Sequence, residues 1–488
     1  VNAVGAPARN ERTLRAALAL LGGASALVPS LVMWGFTVDD ALIPLRYAHH
    51  LASGAGYRFN AHGPSTDGVT PLPWAPLLAV ASGAKDGDLV AALVRVKVAG
   101  IVAWTAAGTA LGRALALRSA RDRWGAIHAA VALVILALAF PVGAWAASGM
   151  ETGVAAALAT VAVIELDRAR GSAALAGLAA CLRPELVVWA LAIAAGGAIG
   201  ALRSVSPALP RERTRSGALV LAQSAALALG PFVLCALARL ALFGRAAPLA
   251  LLAKPSDLSH GLVYAGAASI VVLTPVLGFA PISLCRASWT AKTIVVAAAA
   301  HVLVVIAVGG DWMPYARLMV PIAPSLVLAY VECARVARPL VSFARAAVVL
   351  VVGCVVAASA APMGRHVHQD REELVEKARP LLASSRVIAA LDVGWVGAAT
   401  DAEIVDLAGL TDPAIAALPG GHTSKAVDLG MLLDRDVDTI VVYSQPRAVE
   451  LRLMESSLFP DRFERAAVVP FGARGASYAI FRRRPNAE

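Results

Sequence analysis

Long apolar runs alternate with short polar gaps through the first three quarters of the chain. Apolar spans fall at about 14–34, 88–111, 125–140, 151–166, 171–181, 186–201, 217–243, 261–284, 291–308, 317–334 and 343–361. Most reach or approach the ~20 residues that carry a helix across ~30 Å of hydrocarbon. The pair 171–181 and 186–201 is short and holds Arg183-Pro184-Glu185 at its tip. That predicts a hairpin that crosses poorly, with its polar tip in a cavity. Segment 69–84, VTPLPWAPLLAVASGA, is also short and has prolines at 71, 73 and 76. It predicts an interfacial or re-entrant piece. After about 362 the pattern changes. GRHVHQDREELVEKARP reads as an amphipathic helix. Short β-rich runs follow at 386–392, 403–407, 438–443, 465–470 and 477–483, with a helix-like stretch at 424–436. Strands alternating with helices predict a small α/β domain.

Composition narrows the class. Of 488 residues, 58% are hydrophobic and 16% charged, and 40 are glycine; mean hydropathy is +0.70. Soluble domains run at roughly 45–50% apolar with glycine included and about 25% charged. A compact soluble fold could not bury this much apolar side chain. Disorder, collagen and coiled coil are excluded by the apolar content and the lack of a Gly-X-Y or heptad period. An α-helical polytopic membrane protein of about eleven transmembrane helices remains, carrying a C-terminal α/β domain. The expected division is 1–361, with a first loop at 35–87, and 362–488. The five cysteines lie in or beside apolar runs, with no zinc spacing and no disulfide framework. The first apolar run lacks a small-residue cleavage site and is expected to be an anchor.

A net charge of +10 would suggest nucleic acid in a soluble domain. Here the basic residues sit in gaps between spans, where they set topology. With 69–84 not crossing, one set of gaps holds Arg9, Arg12, Arg15; Arg113, Arg118, Arg121, Arg123; Arg168, Arg170; Arg203, Arg211, Arg213, Arg215; Arg286, Lys292; and Arg335, Arg338, Arg345. The other set holds seven: Arg46, Arg58, Lys85, Arg183, Arg245, Lys254 and Arg317. Arg95 and Lys97 fall near the start of the second span. The richer face is expected to be cytoplasmic. Eleven spans then put the N-terminus in the cytoplasm and the C-terminal domain outside, in a multi-pass protein of the cell membrane with no nucleic-acid partner.

Candidate chemistry gathers on the outer face. Asp39 and Asp40 follow the first span at once, and a short helix with Arg46 and Tyr47 comes next. Two acids beside a membrane admit a plain reading, capping an interfacial helix. They also admit a functional one, with one acid capping and the other facing a cavity. In GGDWMPYARLMVP (309–321), Asp311 and Arg317 bracket a loop with Trp312 and Tyr315; an aromatic belt with a paired acid and base is the plain alternative. Arg183 and Glu185 either form a mutual salt bridge or serve a site. Lys254, in ALLAKPSD (250–257), is either a snorkelling lysine or a ligand group. Lys85 and Trp74 lie on the same face. Taken together, the set suits glycosyl transfer from a lipid-linked phosphate. A carboxylate (Asp39, Asp40) orients or deprotonates an acceptor hydroxyl. Cations (Lys254, Arg183, Arg317, Lys85) stabilise the departing phosphate. Arg46, Tyr47, Glu185, Asp311, Trp312 and Trp74 are the candidate substrate contacts.

These stretches carry a family resemblance. DDALIPLRYAHHLASGAGYRFN followed by DGVTPLPW resembles the first outer loop of the mycobacterial terminal β-(1→2) arabinofuranosyltransferases, members of the GT-C glycosyltransferase superfamily. SGMETGV (148–154), CLRPEL (181–186), LLAKPSD (251–257), GGDWMPYARLMVP (309–321), LDVGWVG (391–397) and IVDLAGLTDPAIA (404–416) follow in the family's order. The resemblance implies a GT-C fold and a polyprenyl-phosphate sugar donor. It also implies a glycan or lipid acceptor and catalysis on the extracytoplasmic face by Asp39 or Asp40, with arabinofuranose as the sugar. It suggests that Lys254 and the Arg183 region face the donor phosphate. Two departures bear on sugar and acceptor. Ala41-Leu42-Ile43-Pro44 stands where the family has an aromatic and a small polar residue, and Thr70-Pro71-Leu72-Pro73-Trp74 lacks the family's Asn before Pro-Leu-Trp.

Asp392, Asp406, Asp412 and His422 in the C-terminal domain show no metal-ligand spacing, and Asp392-Val-Gly and Gly409-Leu-Thr-Asp-Pro read as turns after strands. The sequence fixes no cofactor, and a divalent metal is left open. Two other classes were weighed. A transporter or flippase of lipid-linked sugars would place ionisable groups near mid-membrane and often shows inverted repeats; none is visible. A non-catalytic scaffold would leave the acidic pair without a purpose.

Overall fold

The computed structural model describes residues 9–119, 123–204, 210–272, 281–472 and 475–485, and their side chains except at 9–10, 123, 204, 210–216 and 281–282. Arg121, the side chains of Arg9, Arg123, Arg211, Arg213 and Arg215, and positions 273–280 of the expected span 261–284 lie outside the described residues. The chain divides into two compact units. One comprises Val1–Trp34, Lys97–Leu234 and Ser256–Arg365; the other comprises Gly35–Val96, Cys235–Pro255 and His366–Glu488. One division falls at Arg365/His366, and the unit beyond it also takes in Gly35–Val96 and Cys235–Pro255.

All eleven apolar runs contain helix. Among the described residues, six helices are long and apolar enough to cross a membrane, or up to seven if the bent pair Trp124–Leu138 and Phe140–Ala146, 60° apart, is one span. The other four runs hold shorter apolar helices at Thr152–Ile164, Ala169–Leu182, Leu258–Val271 and Val320–Ala334. The hairpin reading of 171–201 needs correction. Its second limb, Pro184–Arg203, has 20 residues, enough to cross, because the 3-10 turn Pro184–Leu186 extends the apolar stretch at its start. Helix is the form that satisfies every backbone group without water. Glycine lets backbones touch. A Cβ on Gly108 would lie 2.6 Å from the Gly22 carbonyl oxygen, and one on Gly112 would lie 1.9 Å from that of Leu18. Gly108 and Gly112 thus form a small-xxx-small stripe that seats helix Leu89–Ser119 on helix Arg9–Val32.

The second unit is built on a five-stranded sheet: β1 (Val387–Ala390), β2 (Glu403–Asp406), β3 (Thr439–Tyr443), β4 (Phe463–Phe471) and β5 (Ala476–Arg483). Spatial order is β2-β1-β3-β5-β4. β1 runs parallel to β2 and β3, while β5 is antiparallel to β3 and β4, with a register shift at Arg465/Ala467. β3 is buried over four of its five residues, as a strand covered on both faces must be. All five strands lie where the sequence predicts them. The helix-like stretch 424–436 is helical only over Leu429–Leu433, since Lys425 is drawn into the core. The amphipathic helix is Val367–Leu382, with Leu374, Val375, Ala378 and Leu382 on its buried stripe. The first loop contributes a 3-10 turn Asp39–Ala41 and helices Leu42–Ala52 and Trp74–Ala81. Eight residues of helix at 74–81 do not cross a bilayer.

The glycine stripe gives a prediction. Gly112→Val has no free volume to enter and should cost about 1–3 kcal/mol. It should appear as a lower melting midpoint of the detergent-solubilised chain. Gly230→Val, whose Cβ would meet nothing within 4 Å, should leave that midpoint in place.

Candidate functional site

The acidic pair is split by its environment. Val38 is extended and Asp39–Ala41 closes a 3-10 turn, so the adjacent side chains diverge. Asp39 accepts the backbone N–H groups of Gly394 (2.8 Å) and Trp395 (3.0 Å). It therefore caps helix Val393–Ala399 from a distant part of the chain. Arg371 Nη1 lies 3.4 Å from its Oδ1. Gly394 is required there, because a Cβ would sit 2.1 Å from the Asp39 carbonyl oxygen. Burial pushes the Asp39 carboxyl up to about 6, against the pull of Arg371 and with a further push from Asp392 and Asp40. Asp40, half-buried, makes no hydrogen bond or ion pair among the described residues. One acid is consumed by structure and its neighbour is left uncommitted.

Around Asp39 lies a charge network that the sequence reading missed. Asp392 Oδ2 accepts from Arg447 Nη1 (2.8 Å) and Tyr478 Oη (2.7 Å). Arg447 also donates to both oxygens of buried Glu450. Burial resists ionisation of Asp392, but Arg447 and Arg371 overcome it and hold the carboxyl below its ordinary range. The turn reading of Asp392 is therefore incomplete. Asp406 accepts from Ala408 N, Thr411 N and Thr411 Oγ1, and burial pushes it up to about 6. Nothing in local spacing joins positions 39, 371, 392, 447 and 478, so only tertiary structure reveals the network.

Arg46, Tyr47 and Trp74 were expected to touch substrate, and the structure places all three in the interior. Arg46 is 3% exposed. Its Nε donates to Phe59 O, Nη1 to Gly397 O and Thr400 O, and Nη2 to Ala402 O, at 2.7–2.9 Å. Four of its five N–H groups are spent on carbonyls, so it is a staple. Tyr47 Oη bonds Thr66 Oγ1 at 2.6 Å and accepts from Gly68 N at 3.1 Å, and Trp74 is buried at the head of its helix. Asp67 was quoted but given no role. It forms a buried 2.8 Å pair with Arg239, whose signal was an arginine inside an apolar run.

The remaining cations and acids divide by unit. In the first unit, Arg183 is bracketed by Glu151 (Nη1–Oε1 2.9 Å) and Glu185 (Nη2–Oε1 2.6 Å). Arg317 Nε pairs with Asp311 Oδ2 at 2.7 Å. Among the described residues, three carboxylates face two guanidiniums in this cluster. The mutual salt bridge of Arg183 with Glu185 is present, and both candidate phosphate-binding guanidiniums, Arg183 and Arg317, are ion-paired. Glu185 and Asp311 are likewise committed. Trp312 is 66% exposed and stacks on His260 at 4.1 Å. The loop is held under strain, with Tyr315 at φ 58° and Ala316 at φ 50°. In the second unit, Lys254 and Lys85 make no hydrogen bond or ion pair among the described residues. Lys254 follows helix Ala250–Ala253, and Lys85 is exposed on the 3-10 turn Ala84–Asp86. No group of three or more His, Cys, Asp or Glu among the described residues is arranged to hold a metal.

Residues 365–481 match a family described as "Domain of unknown function (DUF8728)". No curated protein matches the chain, and no solved structure does.

Two predictions follow from the charges. Arg183→Met strands Glu151 and Glu185 and should cost about 3–5 kcal/mol, read as a lowered melting midpoint; the triple variant R183M/E151Q/E185Q should recover most of it. Asp39 binds its proton more tightly folded than unfolded. Its contribution to stability is therefore present below about pH 4 and lost as pH rises through about 6. Thermal unfolding of Asp39→Asn should show a smaller decline from pH 4 to 6.5 than the parent. Parallel profiles would contradict the assignment.

Proposed function

We propose that the chain is a membrane-embedded glycosyltransferase of the GT-C type, moving a sugar from a polyprenyl-phosphate donor to a cell-envelope glycan or lipid acceptor. In this reading the four shorter apolar helices complete eleven crossings. The N-terminus is cytoplasmic and the C-terminal domain extracytoplasmic, in the cell membrane. Arabinofuranose is the sugar the ordered motifs favour. The observation that carries the proposal is the division of labour in the acidic pair. Asp39 is bound to two backbone N–H groups and an arginine, while the carboxylate of Asp40 is left for chemistry.

Asp40 accepts the proton of the acceptor hydroxyl as that oxygen bonds the anomeric carbon. The bond from that carbon to the phosphate oxygen breaks, and the electron pair leaves with the polyprenyl phosphate. Of the four candidate cations, Lys254 and Lys85 are the two that make no ion pair among the described residues, and they stabilise the developing phosphate charge. A lysine serves as a point charge toward phosphate. Membrane lipids surround the spans: in the most apolar window of Gly217–Phe243 only 11% is buried inside the protein.

The test is transfer from a polyprenyl-phosphate sugar by the purified chain in nanodiscs. Asp40→Asn should lower turnover by at least ~100-fold, the scale of a lost general base. Lys254→Ala should raise KM for the donor more than for the acceptor. Near-normal turnover in D40N would remove Asp40 from the chemistry, and equal losses on both substrates would remove Lys254 from the phosphate.

A further inference from the structure

The two uncommitted groups, Asp40 and Lys254, sit on segments of the second unit far apart in sequence, and both segments are anchored on residues 366–481. The anchoring is polar, through side chains whose hydrogen bonds are spent on it.

On the aspartate side there are four attachments. Asp39 caps helix Val393–Ala399 through the N–H groups of Gly394 and Trp395. Arg46 donates to the carbonyls of Gly397, Thr400 and Ala402. Asn60 reads the edge of β2 as a strand would, its Nδ2 donating to Ile404 O (2.9 Å) and its Oδ1 accepting from Ile404 N (3.0 Å). Gly68 lies between Tyr47 and Thr411, where a Cβ would come within 2.5 Å of Tyr47 Oη and 2.8 Å of Thr411 Cγ2. On the lysine side, Lys425 is 1% exposed. Its ammonium donates to Ala416 O (2.8 Å), Leu418 O (3.0 Å) and Leu252 O (3.4 Å). Leu252 lies two residues before Lys254, in the single helical turn Ala250–Ala253 that packs on helix Pro413–Ala416. A lysine buried to make only carbonyl contacts is costly to retain, and its three acceptors fix one short loop to another.

Resting on the glycosyltransferase reading, we propose that residues 366–481 form a positioning platform for the reaction, with Asp39 and Asn60 fixing Asp40 and Lys425 fixing Lys254. The platform residues touch no reacting atom. They hold the base and the phosphate cation in register, a geometry in which an error of about 1 Å costs on the order of 100-fold in rate. The carboxylate, guanidinium and amide on the aspartate side act on a different kinetic parameter from the lysine, because the two groups they place have different roles.

The experiment uses the full chain in nanodiscs, with hydrogen exchange read by mass spectrometry beside steady-state transfer kinetics. Asp39→Asn and the milder Asn60→Ala should speed exchange in peptides covering 35–60. They should lower kcat about 10–100-fold and leave the donor KM within about two-fold. Lys425→Met should speed exchange at 249–256 and raise the donor KM about ten-fold with a smaller change in kcat. Unchanged exchange at both segments in all three variants overturns the platform. So does a uniform loss of kcat with both KM values fixed that simply tracks the folded fraction. If the parent chain transfers no sugar from a polyprenyl phosphate but the two exchange patterns appear, the anchoring is upheld and the glycosyltransferase reading fails alone.

Discussion

The Asp39 carboxylate is the contact on which the second unit turns. It ties the residues that follow the first span to a helix more than 350 positions later, through two backbone N–H groups that the helix cannot satisfy itself. Because it is buried, its charge must be balanced, and Arg371 is balanced in turn by Asp392, which Arg447 and Tyr478 hold. Removing one member leaves another buried without a partner, which costs far more than the pair contributes. The arrangement also explains why the neighbouring acid can stay unpaired. Asp40 is held by its own backbone, fixed one residue away, and needs no contact of its own to stay in place.

A second constraint acts in the first unit. Lipid offers no hydrophobic drive for helices to associate, so close backbone approach and buried polar pairs must do it. The Gly22, Gly108 and Gly112 positions provide the approach. The Glu151–Arg183–Glu185 triad and the Asp311–Arg317 pair provide fixed polar points at helix ends. Arg183, Glu185, Asp311 and Arg317 are also among the candidate site residues, so packing chemistry and the chemistry expected of a site fall on the same side chains here.

Much of the architecture was legible in the chain. Each of the eleven apolar runs holds a described helix, because length and hydropathy act without reference to partners, though the helix Phe140–Ala146 lies almost wholly beyond them. Alternating β-branched runs located all five strands. In the pair at 171–201 the first limb is short as expected, while the second is longer than its apolar run, since a proline suits the first turn of a helix. The site was less legible. Arg46 and Tyr47 have the right chemistry for a ligand, but their donors and acceptors are spent inside the fold, a fact that depends on Phe59, Gly397, Thr400, Ala402, Thr66 and Gly68 at once. The network of Arg371, Asp392, Arg447 and Tyr478 has no local period to betray it. Arg239 did carry a signal, a charge inside an apolar run, and its partner Asp67 was already in view.

The Asn60 contact also bears on how this molecule behaves among copies of itself. A sheet edge offers unpaired amides to any extended chain that drifts past. At β2 the middle of that edge is closed from within, since the side chain of Asn60 occupies both groups of Ile404. The opposite border, β4, is bent by the shift at Arg465/Ala467 and carries Glu464, Arg465 and Pro470, so it makes a poor template. Neither margin of the sheet invites a foreign strand, so the fold itself guards this domain against zipping onto copies of itself.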